Sequence, residues 1–387
     1  MKVLYDHQTF SIQNYGGISR YFYELITRLS QDDKIEIQTS LLFSNNEYLR
    51  MDSAFKIKPL IDAKNWIFKG NFIGKARLYN LVKTFGLVND HVANMQSLVK
   101  ARILSNDFDI FHPTYYNPYY IEWLSDKKIP VVITVYDMIH EKFPKYFLDA
   151  NKTIEEKRRT INRADKIIAI SESTKKDIQE FYDIPNEKIQ VIHLASSLQD
   201  HREKNKIVED LKDYILFIGN RSVYKNFAFF LDAITELFKK YPKLKLIIGG
   251  GEKITKQELL KFRELKLEDR IIHFQIEDNR QLLSLYQSVR LFVFPSLYEG
   301  FGIPLIEAMK SGCPVVCSNT SSFPEVAGEA ALYFNPIEKA SIFSAVEMMY
   351  ENEELRKNFI ELGYKQSAKF GWDNVAIQTY NLYKSLV

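Results

Sequence analysis

Cysteine is almost missing from this chain: two thiols, Cys313 and Cys317, stand four apart on a predicted strand with no histidine beside them. So few thiols argue against a disulfide-stapled scaffold or a thiolate metal centre; two buried free thiols in a reducing cytoplasm are the natural reading. Long apolar runs are also missing. No stretch is long enough to span a bilayer, and the opening MKVLYDHQTF lacks the apolar core of a signal peptide. A surplus of one charge is missing too: 52 Lys and Arg face 49 Asp and Glu, and a net charge of +3 excludes wholesale nucleic-acid binding. No Asp-x-Asp pair stands at the carboxyl end of a predicted strand, so no metal site is expected. What remains is a chain of 387 residues, 46% of them hydrophobic, enough for two domains with cores of ordinary size.

One stretch organises the chain. Leu291 to Phe294 is a short apolar run with the character of a buried strand. It leads into a loop, Pro295 to Gly302, that carries Glu299, Gly300 and Gly302. Pro304 suits the first turn of a helix, where its missing N–H would be unpaired anyway. Leu305, Ile306, Ala308 and Met309 continue that helix, Gly312 ends it, and Pro314 to Cys317 forms the next strand. A loop at the carboxyl end of such a strand is where α/β sheets bind ligands. The amides of Phe301, Gly302 and Ile303 favour an anion or a hydroxyl-rich group there. Glu299 and Glu307 flank the glycines, either as a pair of ligands or as a solvated acid and a helix-start carboxylate.

In the first half, Lys2 to Asp6 reads as a strand and Thr9 to Asn14 as a loop. Gly16 and Gly17 then open a helix with Ile18, Phe22, Leu25, Ile26 and Leu29 at helical spacing. A glycine pair between first strand and first helix lets backbone approach a phosphate. Arg20 reads as a ligand or as a solvated first-turn residue. Residues 56–102 mix lysines and arginines with Trp66, Phe68 and Phe72, which suits either peripheral contact with an anionic membrane surface or a helical segment that buries its aromatics. After His112 come Tyr115, Tyr116, Tyr119 and Tyr120, as aromatic faces for a ligand or as core. The strand Pro130 to Val135 ends in Tyr136-Asp137-Met138-Ile139-His140. Asp137 and His140, at a strand's carboxyl end, are candidates for contact with a ligand, against the alternative of a capping Asp and a structural His. Lys166 to Ile170 is a further strand, Ser171 a helix start, Ile189 to Leu194 the last strand, and the polar run Ser196 to Glu209 the linker.

The second half opens with the strand Tyr214 to Ile218, followed by Gly219, Arg221 and Lys225 before a helix with Phe230, Ile234, Leu237 and Phe238 on one side. Two cations and helix amides in that turn suit a diphosphate, whose departure is helped by fixed positive charge. Gly249 to Gly251 follows the next strand, and Gln275-Ile276 the one after, Ile271 to Phe274.

These residues carry a resemblance. E-G-F-G-x-x-x-x-E over Glu299 to Glu307 resembles the signature of the retaining GT-B glycosyltransferases of family GT4. YGGISRY, G-x-R-x-x-x-K-N from Gly219, and PEVAGEAALYFNP over 324–336 are similar to other segments of that family. The resemblance implies an α/β protein of the GT-B type, two Rossmann-like domains facing a cleft. The first would cover 1–195 with a returning helix at 371–387, and the second, 196–370, would bind the donor. It implies a donor site from Gly16, Gly17, Arg221, Lys225, Ile276, Phe301, Gly302, Ile303 and Glu307, with Asp137, His140 and Glu299 near the transferred sugar. Where relatives place a His, this sequence has Tyr136. The implied reaction moves a hexose from a nucleotide diphosphate sugar to a hydroxyl of a growing glycan or lipid-linked acceptor, without cofactor or metal. The flavour is that of bacterial mannosyltransferases building surface polysaccharide and lipopolysaccharide, with GDP-mannose as the leading donor. Two other readings remain: a GT-B sugar-nucleotide epimerase, and a non-catalytic sugar-nucleotide-binding subunit.

Overall fold

The computed structural model describes residues 1–59, 91–198 and 213–387. Most of the basic and aromatic stretch 56–102 and most of the linker therefore lie outside the described residues. The first half builds β1 (Lys2–Tyr5), β2 (Glu36–Thr39), β3 (Ile110–His112), β4 (Val132–Val135), β5 (Lys166–Ala169) and β6 (Ile189–Val191). They form two parallel three-stranded sheets, β2-β1-β3 and β4-β5-β6, joined edge to edge by a parallel bridge between Phe111 and Val131. The second half builds β7 (Tyr214–Ile218), β8 (Lys245–Gly249), β9 (Ile271–Phe274), β10 (Leu291–Phe294), β11 (Val315–Ser318) and β12 (Ala331–Phe334). These make one parallel sheet in the order β12-β11-β10-β7-β8-β9. Every residue of β4, β10 and β11 is buried, as expected of parallel strands covered on both faces, and this is why they read as unbroken apolar runs.

The helix Gly17–Leu29 turns Tyr21, Phe22, Leu25, Ile26 and Leu29 inward. Packed on it is the terminal helix Trp372–Lys384, which returns from the second half of the chain. Arg28 Nε donates to Asp373 Oδ1 at 2.7 Å, the Tyr5 and Tyr383 hydroxyls meet at 2.6 Å, and Trp372 Nε1 donates to Ser197 Oγ at 2.7 Å.

Two local expectations need correction. Thr9 to Asn14 is not a loop throughout, because Gln8–Ile12 is a short helix. Its buried polar residues hid it: the Gln8 amide donates to Asp6 Oδ2 at 2.7 Å, and the Thr9 N–H to Thr114 Oγ1 at 3.0 Å. Hydrogen bonds do there what an apolar stripe does elsewhere. The last strand of the first half stops at Val191, three residues early, although the Ile192 N–H still donates to the Ala169 carbonyl at 3.0 Å.

Candidate active site

The carboxyl end of β10 delivers the loop that carries Glu299. Ser296 Oγ donates to Glu299 Oε1 at 2.7 Å, and Lys225 Nζ reaches the same oxygen at 2.6 Å. Lys225 comes from the turn after β7, which is tied to this loop by the Leu297 N–H donating to the Tyr224 carbonyl at 2.7 Å. Both partners are 15% exposed. Burial alone would lower the Lys225 pKa, but the Glu299 charge and hydrogen bond, with Tyr224 and Asp137 nearby, hold it above the usual lysine value. Gly302 adopts φ 106°, a left-handed conformation open to glycine, and caps the helix Ile303–Lys310. Among the described residues, the Phe301 and Gly302 amides find no protein acceptor.

Arg221 is engaged differently. Its Nε bonds the Glu258 carboxylate, its Nη2 donates to the Glu252 carbonyl at 2.8 Å, and its Nη1 is buried without a partner. Burial would raise the Glu258 carboxyl; the Arg221 bond and the Thr255 amide and hydroxyl hold it below its usual value. Glu307, a turn into the helix after Gly302, receives the Tyr286 hydroxyl at 3.4 Å. Burial pushes its carboxyl up to about 7, against the opposing Arg20 charge and the Tyr286 hydrogen bond.

The first half meets this loop at Gly300. A Cβ on Gly300 would lie 1.8 Å from the Tyr136 carbonyl oxygen and 3.0 Å from Asp137 Cβ, so only glycine permits the approach. The Gly300 carbonyl accepts from Ser171 Oγ at 2.7 Å, and the Tyr298 hydroxyl bridges Asp177 Oδ2 (2.8 Å) and the Met138 N–H (3.1 Å). Asp137 thus faces the Glu299 loop across a closed contact between the two halves. Gly17 sits opposite Ile303, whose Cδ1 would be 4.0 Å from a Cβ at that position.

The remaining predicted residues are placed less directly. The His140 ring packs tilted against Phe147, with ring centres 4.4 Å apart, and its Nδ1 is buried without a partner. Burial, then the Lys157 charge, keeps His140 below the usual histidine pKa and hence neutral at pH 7. Gly16 gives room to Gln13, whose side-chain oxygen accepts the Ser19 N–H at 3.0 Å. Ile276 packs its Cδ1 toward Gly249, and Phe301 is buried against His193 and Phe370. His112 is structural: its ring is enclosed by Tyr383 OH (2.5 Å) and Thr134 Oγ1 (3.0 Å), and burial pushes its pKa down to about 3.

Comparison with known families decides the identity. The Glycosyltransferase Family 4 model matches residues 15–195, and the Glycosyl transferases group 1 model matches residues 199–366. The chain belongs to the family 4 glycosyltransferases. It is 28% identical over 388 residues to the O-antigen chain mannosyltransferase B of Escherichia coli, covering 96% of both chains. It is also 28% identical over 244 residues to the O-antigen chain mannosyltransferase RfbU of Salmonella typhimurium, covering 63% of this chain and 66% of that one. Among solved structures it is similar to a sucrose-phosphate synthase of Thermosynechococcus elongatus, with TM-score 0.74, 16% identity, and 100% and 98% coverage. Anabaena HepE in complex with UDP and glucose matches with TM-score 0.72, 16% identity and full coverage of both chains. The fold is GT-B.

Several groups of this family 4 enzyme's cleft escape sequence reading. Glu325, from the helix Phe323–Ala327, accepts the Glu172 N–H at 2.8 Å and meets His193 Nε2 at 2.5 Å, so it caps a first-half helix from the second half. Tyr298, Ser171 and Asp177 make the contact around Gly300. Their partners are more than a hundred residues away, and no local pattern signals such pairing.

Proposed function

We propose that the chain transfers a hexose, with mannose from GDP-mannose the first assignment, to a hydroxyl of a growing glycan or lipid-linked acceptor. The reaction retains the anomeric configuration and serves the assembly of surface polysaccharide or lipopolysaccharide on the cytoplasmic side of the membrane. The names of the two O-antigen relatives support the sugar and the setting. The observation that carries the reading is the Lys225–Glu299 pair, set at a strand's carboxyl end opposite Asp137.

In this reading the donor diphosphate becomes the new anionic partner of Lys225. Glu299 is released to accept from sugar hydroxyls, and the Phe301 and Gly302 amides complete the anion site. Arg221 contributes through Nη1, the one guanidinium nitrogen without a protein acceptor. The growing charge on the departing diphosphate is met by these fixed cations and amides, so the reaction is metal-independent. Glu307 accepts from a ribose hydroxyl, and Asp137 and His140 orient the sugar. Attack comes from the face the diphosphate leaves, with its oxygen taking the acceptor's proton.

Thermal shift with GDP-mannose, UDP-glucose and dTDP-glucose tests the donor site. A ligand at 100 times its Kd stabilises the native state by about 2.7 kcal/mol. The expected result is a clear rise in melting temperature with one nucleotide series, GDP first, that is lost in well-folded Arg221→Ala and Glu307→Ala. No shift with any series at millimolar concentration would overturn the donor site.

A further inference from the structure

We infer that Lys157 is a positioning residue for transfer, an internal cation that fixes the segment Asp137–His140 against the donor loop. The inference rests on the glycosyl-transfer reading above. Lys157 lies on the helix Ala150–Arg163, and its side chain is 0% exposed. It is closed off from solvent and reaches the site only through the main chain of Asp137. Its ammonium donates to Glu141 Oε2 and to the Asp137 carbonyl, both at 2.9 Å, and sits 5.2 Å from the Tyr116 ring centre. Both ends of the segment are therefore pinned at one point: Asp137 by its main chain, and the short helix Ile139–Lys142 through Glu141.

The surroundings extend this anchor. Glu141 also receives the Tyr182 hydroxyl at 2.6 Å, and the Tyr116 hydroxyl accepts the Tyr136 N–H at 3.0 Å. The chain is thus held at the Tyr136 N–H and the Asp137 carbonyl, on either side of the peptide whose carbonyl meets Gly300. Stability alone gives little reason for such a pair, because apolar residues of similar volume often replace a buried ion pair at no cost. The bond to the Asp137 carbonyl is what an apolar pair cannot supply. With that bond gone, the Asp137 and His140 side chains lose their fixed distance from the Glu299 loop. Displacements of about 1 Å in such groups cost on the order of 100-fold in rate.

The test measures GDP release from GDP-mannose with octyl α-mannoside as acceptor, for wild type, Lys157→Met and the double variant Lys157→Met/Glu141→Leu. The double variant removes both charges and leaves Tyr182 the Ile154 carbonyl, at 3.4 Å, as acceptor. It therefore answers the objection that the single variant fails to fold. The expected result is a double variant that melts within a few degrees of wild type, with kcat lower by about 100-fold and donor KM changed by less than about threefold. Recovery of kcat together with stability in the double variant would reduce Lys157 to a packing residue and overturn the inference. Wild type that releases no GDP, UDP or dTDP from any of the three donors would overturn the transfer reading, and this inference with it.

Discussion

Lys157–Glu141 and Lys225–Glu299 are both close ion pairs, at 2.9 and 2.6 Å, and each supports one of the two loops that meet at Gly300. They differ in what surrounds them. The side chains of the first are 0% and 2% exposed, and its ammonium spends two donors on protein oxygens. The side chains of the second are each 15% exposed, at the carboxyl end of β10. An enclosed pair cannot exchange its partner, because a lone buried charge is too costly. A pair at the edge of a cleft can exchange a carboxylate for an incoming anion, and low local polarity strengthens the new contact. In the transfer reading proposed above, burial rather than pair geometry separates the anchor, Lys157, from the ligand, Lys225.

Breaking each pair in turn sharpens this contrast. Lys157→Met leaves the Glu141 charge buried alone and should cost about 3–5 kcal/mol of stability, read by denaturant unfolding. Lys225→Met should change stability by less than about 1 kcal/mol, since its pair is partly solvated. Its kcat/KM should nevertheless fall by about 10²- to 10³-fold, or about 3–4 kcal/mol of transition-state stabilisation. If Lys225→Met unfolded the protein as readily as Lys157→Met while folded enzyme kept its kcat/KM, Lys225 would be the anchor and the distinction would reverse.

The same contrast shows what a single sequence discloses. The stretch from β10 to β11 was legible because its signals are local: an apolar run, Pro304 in the first turn, and Gly302 and Gly312 at positive φ. The strand Leu291–Phe294 and the helix Ile303–Lys310 follow from them. Lys225 and Glu299 were each visible as candidates, but their direct pairing across 74 positions was not. Lys157 was invisible. It stands in NKTIEEKRRTINR among other cations, and nothing in that run distinguishes the one lysine that turns inward. Arg221 was legible as a cation of the turn, whereas its engagement with Glu258 depends on the next βα unit. Signals carried by neighbours in sequence could be read; signals carried by a partner distant in sequence could not.

Glu307 extends the comparison to an acid that, among the described residues, has no ion pair at all. Its native carboxyl titrates at about 7, against 4.5 as its ordinary value, because burial disfavours the charged form. A raised carboxyl pKa means that the native state binds more protons than the unfolded state between those two values. Stability must therefore fall as pH rises through that window and level off above it. Glu307→Gln has no such titration. The expected difference between the variant and wild type is absent below about pH 4.5, grows in favour of the variant toward pH 7, and reaches about 3 kcal/mol. Urea unfolding of both proteins at half-unit pH steps measures it. Parallel curves would mean that Glu307 is already ionised and solvated, so that a donor ribose would meet a ready-made carboxylate. Diverging curves would mean that accepting a ribose hydroxyl at neutral pH is coupled to loss of a proton, so donor affinity should weaken as pH falls below 7.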